Sequence, residues 1–195
     1  MRSAPFVVVV SGTSGAGKST VVDGVASMVS ATGRRAVALH FDDYADVTQL
    51  PGDLLDWLRR GADPDGWRAD RLESTLLTCI AESEPGTLII VEDPFGRVRR
   101  SIRYVVDLAI HIDLPLGVAL ARRLLRDFLP ETGGLADADP LREYLADYLR
   151  GGGAAYSTID RMAREASDVI LDGSGDRSEL LARALGEIAA SADQR

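Results

Sequence analysis

The chain has 195 residues and a net charge of −8, with 46% hydrophobic and 27% charged residues. This length suits a single domain with a proper core, and the composition excludes a disordered chain. The acidic balance argues against a protein that coats nucleic acid, because such binding runs on phosphate neutralisation; no apolar run is long enough to span a membrane, so neither partner is expected.

Phe6 to Ser11 is a continuous apolar, β-branched run without alternation, as expected of a parallel strand buried on both faces. It leads into Gly12-Thr13-Ser14-Gly15-Ala16-Gly17-Lys18-Ser19, followed by Thr20, and a helix is expected from about Lys18 to Ser30. The octet satisfies G-x-x-x-x-G-K-[ST] between a strand and a helix, the setting in which that pattern cradles nucleotide phosphates. Glycines at 12, 15 and 17 allow positive φ and let the backbone come close to an anion. The N–H groups then form a nest at a helix N-terminus. Lys18, the only lysine of the chain, adds a mobile charge for the β/γ-phosphates, and the Ser19 hydroxyl suits Mg²⁺.

A second strand, Ala36 to Phe41, delivers Asp42-Asp43-Tyr44 at its carboxyl end, the edge of an open α/β sheet at which ligands bind. Residues 51–66 read as one short helix and an irregular loop. Trp57 and Trp67 read first as packing residues, with a loop tryptophan also open as a substrate platform. A helix over about Arg68 to Ala81 places Leu72, Leu76 and Ile80 on one face. Thr87 to Glu92 is a third buried strand, and its terminal carboxylate suits Mg²⁺ directly or through water; whether Glu92 or Asp93 does so is open.

Arg97, Arg99, Arg100 and Arg103 cluster beside that edge. They read either as a solvated face or as a clamp for a phosphate or carboxylate of the second substrate, with Arg97 as the substrate-binding candidate. Asp107 to Asp113 is a fourth strand; His111 within it, like His40, reads as structural. The helix Leu116 to Phe128 carries Arg122, Arg123 and Arg126 on neighbouring positions. The Gly-rich, acidic segment after Pro130 makes a lid over about 122–140 the expectation. Helices over Pro140 to Leu149 and Ala154 to Ala166, broken by the Gly151–Gly153 triplet, a strand Asp168 to Asp172 and a helix Ser178 to Ala190 complete the chain.

The lone cysteine, Cys79, cannot form an internal disulfide and reads as a small buried hydrophobe. With no visible signal peptide, a cytoplasmic location is expected. No repeat or linker divides the chain.

The loop G-T-S-G-A-G-K-S, H-F-D-D-Y, A-D-P-D-G-W, I-I-V-E-D, H-I-D-L-P and L-A-R-R-L-L-R-D, with A-S-D-V-I-L-D-G near the end, resemble the P-loop kinases of the uridine kinase, nicotinamide riboside kinase, pantothenate kinase and phosphoribulokinase group over nearly the whole length. The resemblance implies a P-loop NTPase fold, a three-layer α/β/α arrangement with a five-stranded parallel sheet in the order 2-3-1-4-5. It implies ATP as donor and Mg²⁺ as cofactor. Asp42 is implied as the general base that takes the proton of the acceptor hydroxyl, and also as a candidate near the metal; Asp63 is implied to hold substrate hydroxyls, Glu92 to support Mg²⁺, and Arg123 and Arg126 to act as lid arginines. Tyr44, Trp67 and Arg97 complete the expected acceptor side, and Arg122 the nucleotide side.

This sequence departs from the group in leaving almost no room at Ile80 to Thr87 for the segment that helps enclose the base in uridine kinases. It also departs in placing Asp93 where the group has Gly, and Pro130-Glu131-Thr132-Gly133 where a second lid arginine cluster stands. The expected activity is transfer of the γ-phosphate to a hydroxyl of a small nucleoside-, vitamin- or sugar-like metabolite. A nucleoside monophosphate kinase is the near alternative, and an ATP-binding regulatory switch the distant one. With no asparagine in the chain, the guanine-reading N-K-x-D motif is absent. A homodimer is left open.

Overall fold

The computed structural model describes residues 4–44, 53–129 and 138–194. Strands β1 (Phe6–Gly12), β2 (Ala36–His40), β3 (Leu88–Glu92), β4 (Leu108–Asp113) and β5 (Val169–Asp172) form one parallel sheet in the order β2-β3-β1-β4-β5. The helices are α1 (Lys18–Ala31), the single turn α2 (Phe41–Tyr44), α3 (Leu54–Arg59), α4 (Asp70–Glu82), α5 (Leu116–Phe128), α6 (Asp139–Asp147), α7 (Gly153–Glu165) and α8 (Arg177–Asp193). This is the three-layer α/β/α arrangement expected. No helix among the described residues is long and apolar enough to cross a membrane.

Alternation along β1 explains why its apolar run is unbroken. Val8 and Val10 pack into one core with Val21, Val22 and Val25 of α1 and Leu180, Ala184 and Ile188 of α8. Val7 and Val9 point the other way, onto Leu72 and Leu76 of α4, Phe41 and Ile102. Both faces are thus covered, as parallel pairing requires. Cys79 lies partly buried against the second core, where burial pushes its thiol pKa up, in keeping with an inert packing residue.

The crossover from β3 to β4 carries no α-helix, only the 3₁₀ turn Gly96–Val98. The layer there is completed by α7, whose Ala155 and Ile159 pack with Phe95, Trp57 and Ala62 in a third core. The arginines of the crossover hold it in place. Arg99 is buried between the rings of Phe41 and Phe95, at 5.2 and 5.0 Å. It donates to Asp93 Oδ2 at 2.5 Å and to the carbonyls of Trp67 and Pro64 at 2.8 and 3.3 Å. Arg97 pairs with Asp168 at 2.6 Å and reaches the Asp107 carbonyl, while Arg100 pairs with Asp63 and Asp65 at 2.9 and 2.6 Å.

The glycine triplet does not open a loop between separate helices. The chain passes from α6 to α7 through one wide turn, Tyr148–Gly152, kinked at Gly151. A Cβ on Gly151 would stand 2.8 Å from the Leu55 side chain, and one on Gly153 2.9 Å from the Tyr148 ring. The small residues therefore serve close packing, and α6 and α7 keep their rings on a common side.

Candidate active site

The carboxyl ends of β1, β2 and β3 meet at the Gly12–Ser19 loop. Gly15 has φ +94°, and a Cβ there would stand 2.5 Å from the Ala119 carbonyl of α5, so the loop can lie against α5 only with glycine at this position. Ala16 is buried beneath the loop. Lys18 opens α1 with its side chain 9% exposed; Nζ lies 3.3 Å from the Thr13 carbonyl and 3.6 Å from Glu92 Oε1. Burial lowers the Lys18 pKa, against the opposing pull of Glu92 and Asp42.

Glu92 is held from the second strand. His40 and Glu92 face each other in register across β2 and β3. His40 Nδ1 lies 2.8 Å from Glu92 Oε2, and Nε2 lies 2.9 Å from Asp23 Oδ1. Burial works against the charge on His40, but the two carboxylates outweigh it and raise its pKa. Burial likewise pushes Glu92 up, yet Lys18, His40 and Ser19 together bring its pKa below the usual value. Glu92 is therefore an ionised carboxylate beside the Ser19 hydroxyl. Hard oxygen donors of this kind are the set that suits Mg²⁺; Ser19, Glu92 and the exposed Asp42 are the residues that would hold it. Asp93 is a different case, since its carboxylate is fully buried, paired with Arg99 and accepting from Phe95 N–H. Geometry thus separates the two adjacent acids left open from sequence.

Two compartments of about 450 Å³ each adjoin at this point. The first is lined by the loop residues Ser14, Gly15, Gly17, Lys18, Ser19 and Thr20 with Arg122 and Arg126. The second is lined by Gly12, Thr13, Phe41, Trp67, Pro94, Arg123, Tyr156 and Ile159. Ser14, Lys18, Asp42, Glu92 and Arg126 border both. Among the described residues these five are common to both, so groups bound in the two compartments would meet in front of them.

The helix α5 contributes its arginines as spacing suggested. Arg122 donates to the Gly173 carbonyl at 3.0 Å on the first compartment's side. Arg126 reaches the shared boundary from a surface position and pairs with Asp127 at 2.6 Å. Arg123 lies between the rings of Tyr144 and Tyr156, at 4.9 and 5.3 Å, and donates to the Tyr156 hydroxyl. The expected lid extends into residues 130–137, which lie outside the described residues.

Three expected acceptor residues stand elsewhere. Arg97 is turned to Asp168 and the Asp107 carbonyl, at the amino ends of β5 and β4. Asp63 caps the turn Pro64–Gly66 and pairs with Arg100, which holds its pKa low. Tyr44 packs against the second core. Pairing with nearby opposite charges takes the first two away from the cleft.

Two features of the site escape a reading of the sequence. His40 reads there as structural, although its place shortly before the strand-end acids is a signal that could mark it. Tyr144, Tyr148 and Tyr156 share a face at helical spacing, a signal hidden when the glycine triplet is read as a break. Tyr148 stacks on Tyr156, with centroids 6.0 Å apart, and Tyr144 lies 6.4 Å from Tyr148. With Trp67, Leu54 and Ile159 they line a side chamber of about 200 Å³ that shares Trp67, Tyr156 and Ile159 with the second compartment.

No protein-family model matches the chain, and no curated protein matches it. Solved structures do. A sugar kinase from Janibacter sp. HTCC2649 is 23% identical, covering 95% of this chain and 96% of that one at a TM-score of 0.53. A gluconokinase from Sinorhizobium meliloti 1021 is 18% identical, covering 99% and 97% at 0.51. The fold is that of P-loop kinases. At these identities the likeness speaks for the fold and for nothing finer.

Proposed function

We propose that this protein is an ATP- and Mg²⁺-dependent phosphotransferase that moves the γ-phosphate to a hydroxyl of a small metabolite. The observation that carries this reading is the shared boundary: Ser14, Lys18, Asp42, Glu92 and Arg126 border both compartments, one lying along the outer side of the Gly12–Ser19 loop and the other running from Gly12 and Thr13 to Trp67, Tyr156 and Ile159. A nucleotide hydrolase or a binding module has no need of the second space. The names of the structural neighbours, a sugar kinase and a gluconokinase, support the same class, and the motifs shared with the uridine kinase group support Asp42 as the base.

In this reading the loop amides and Lys18 hold the donor phosphates. Bound at Ser19 and Glu92, Mg²⁺ would neutralise charge on the phosphate oxygens. Asp42, exposed at the boundary, orients the acceptor hydroxyl and takes its proton. Arg126 stabilises charge on the group in transit, and Arg123, backed by its two tyrosines, does so from the acceptor side. Phosphoryl transfer has a loose transition state, so positioning and electrostatics supply most of the catalysis.

The side chamber narrows the acceptor. Its 200 Å³ exceeds the roughly 150 Å³ that an apolar cavity needs to take up a benzene ring, and its walls are tyrosine and tryptophan rings with Asp147 as the one charged residue. Ring walls suit a hydroxylated compound that carries a flat ring, and the unpartnered Tyr144 hydroxyl and Trp67 N–H are there to pair with its polar groups. Of the Arg97–Arg103 cluster, Arg97, Arg99 and Arg100 are each paired with carboxylates, which argues against that cluster as the clamp for an acceptor phosphate.

The test is ADP release from ATP and Mg²⁺ across nucleosides, ring-bearing vitamins, sugars, sugar acids and nucleoside monophosphates. Asp42→Asn is expected to lower kcat by about 10² to 10⁴ with nucleotide affinity unchanged. Near-normal kcat in that variant removes the base assignment. Hydrolysis stimulated by a protein partner, with no acceptor consumed, makes the chain a switch instead.

A further inference from the structure

We propose that His111, Asp113 and Asp160 form a second metal site, for a first-row divalent ion of the Zn²⁺ type, distinct from the nucleotide's Mg²⁺. His111 lies on β4, on the face covered by α7, and is fully buried. Its Nδ1 is 3.1 Å from Ser11 Oγ, and that hydroxyl in turn donates to the Ile110 carbonyl at 3.3 Å. A serine hydroxyl has one proton and a carbonyl has none. We take the tautomer in which the serine proton stays on the Ile110 carbonyl and Nδ1–H donates to Ser11 Oγ. The neutral ring then presents a bare lone pair at Nε2.

That lone pair faces a carboxylate. Nε2 stands 3.5 Å from Asp160 Oδ1, and both atoms are sealed from solvent without a hydrogen-bond partner. Two acceptors facing each other in a dry site repel, and a cation between them removes the conflict. The Asp113 carboxylate supplies the third ligand, and one ligand atom from each residue lies within 4.8 Å of the others. Bonds of about 2.1 Å at the tetrahedral angle set ligand atoms about 3.4 Å apart, the spacing that Nε2 and Asp160 Oδ1 already show at 3.5 Å, so binding asks the Asp113 carboxylate to move in by at most about 1.4 Å.

Ser11 acts as outer partners do at metal-bound histidines, fixing tautomer and ring orientation through the other nitrogen. One imidazole with two carboxylates suits Zn²⁺ and its neighbours better than Mg²⁺ or Ca²⁺. Asp113 is half exposed, which provides a way in and room for a water ligand; its other contact, Arg164 Nε at 3.7 Å, is long. The ion would tie α7 to β4. Asp160 sits one turn beyond Tyr156, the residue that backs Arg123, so the site would brace the wall of the acceptor compartment.

The experiment uses the full chain, stripped with chelator and titrated calorimetrically with Zn²⁺ in excess Mg²⁺; Co²⁺ substitution is read by its visible absorption. One equivalent of Zn²⁺ should bind and raise Tm by at least about 3 °C. Asp160→Asn and Asp113→Asn, near-isosteric and checked for fold by circular dichroism, should each weaken binding at least tenfold and remove most of the Tm rise. Ser11→Ala should weaken it by about 10- to 100-fold. The proposal is overturned if no Zn²⁺ or Co²⁺ binds, if binding survives Asp160→Asn unchanged, or if nitrogen NMR finds His111 doubly protonated in the Zn²⁺-saturated protein. That last result would make the cluster an ordinary imidazolium–carboxylate pair.

Discussion

Arg99→Met separates the structural arginines of the crossover from the α5 arginines that border the two compartments. The Arg99 side chain is 4% exposed and Asp93 is fully buried. Removing the guanidinium leaves the Asp93 carboxylate with the Phe95 N–H and deprives the Trp67 carbonyl of its donor, while the Pro64 carbonyl keeps the Trp67 N–H at 3.1 Å. Breaking one partner of a buried pair costs about 3–5 kcal/mol, and the orphaned Trp67 carbonyl adds about 1 kcal/mol. A loss of about 4 kcal/mol or more is therefore expected, against a total stability of about 5–15 kcal/mol. In a chain of this size each kcal/mol moves Tm by about 2–4 °C, so Tm should fall by about 8 °C or more. The assay is urea unfolding followed together by far-UV circular dichroism and tryptophan fluorescence, since Trp67 lies beside the substitution. Asp93→Asn added to Arg99→Met removes the stranded charge while keeping an acceptor for Phe95 N–H, and should restore more than half of the loss. A single variant costing less than about 1 kcal/mol, or a double variant as unstable as the sum of its separate changes, refutes the reasoning. So does a drop in kcat/KM at unchanged stability, which would put Arg99 at the substrate.

Arg126→Ala should behave in the opposite way. Its pair with Asp127 is mostly exposed and contributes less than about 1 kcal/mol, whereas its place at the boundary predicts a fall in kcat of about 10² or more; a lowered Tm with normal turnover would sink that assignment. The Asp23–His40–Glu92 chain predicts a pH dependence of stability in the nucleotide-free, metal-free protein. The raised pKa of His40 means that its contribution is fully present below its unfolded value of about 6.5 and is lost as pH rises through the folded value. The advantage of wild type over His40→Gln in urea midpoint should therefore shrink as pH increases; an advantage that holds or grows above neutrality contradicts the geometry.

The local elements are legible without any coordinates. Unbroken β-branched runs mark Phe6 to Ser11 and Thr87 to Glu92 as strands buried on both faces, because covering both faces leaves no polar alternation. The phosphate loop declares itself through glycines and a lysine at fixed spacing, since close backbone approach to an anion requires those residue types. Less legible is any feature set by pairing across distant segments. The motif resemblance suggests that Asp63 holds a substrate, and the local charge cluster leaves Arg97 open between a substrate clamp and a solvated surface charge. Both are taken up by partners that the crossover brings near, Arg100 for the first and Asp168 for the second.

Sequence alone determined where the glycine-rich loop lies between strand and helix and the type of each strand, since both depend on backbone freedom and on periodicity within a few consecutive residues. Tertiary structure alone decided which of two adjacent acids faces the loop. Successive residues leaving a strand diverge, so Glu92 meets Lys18 and His40 while Asp93 turns inward to Arg99. It also decided that the three tyrosines of α6, α7 and the turn between them line one chamber, because the kink at Gly151 depends on the close approach of Leu55, a contact between segments far apart in the chain.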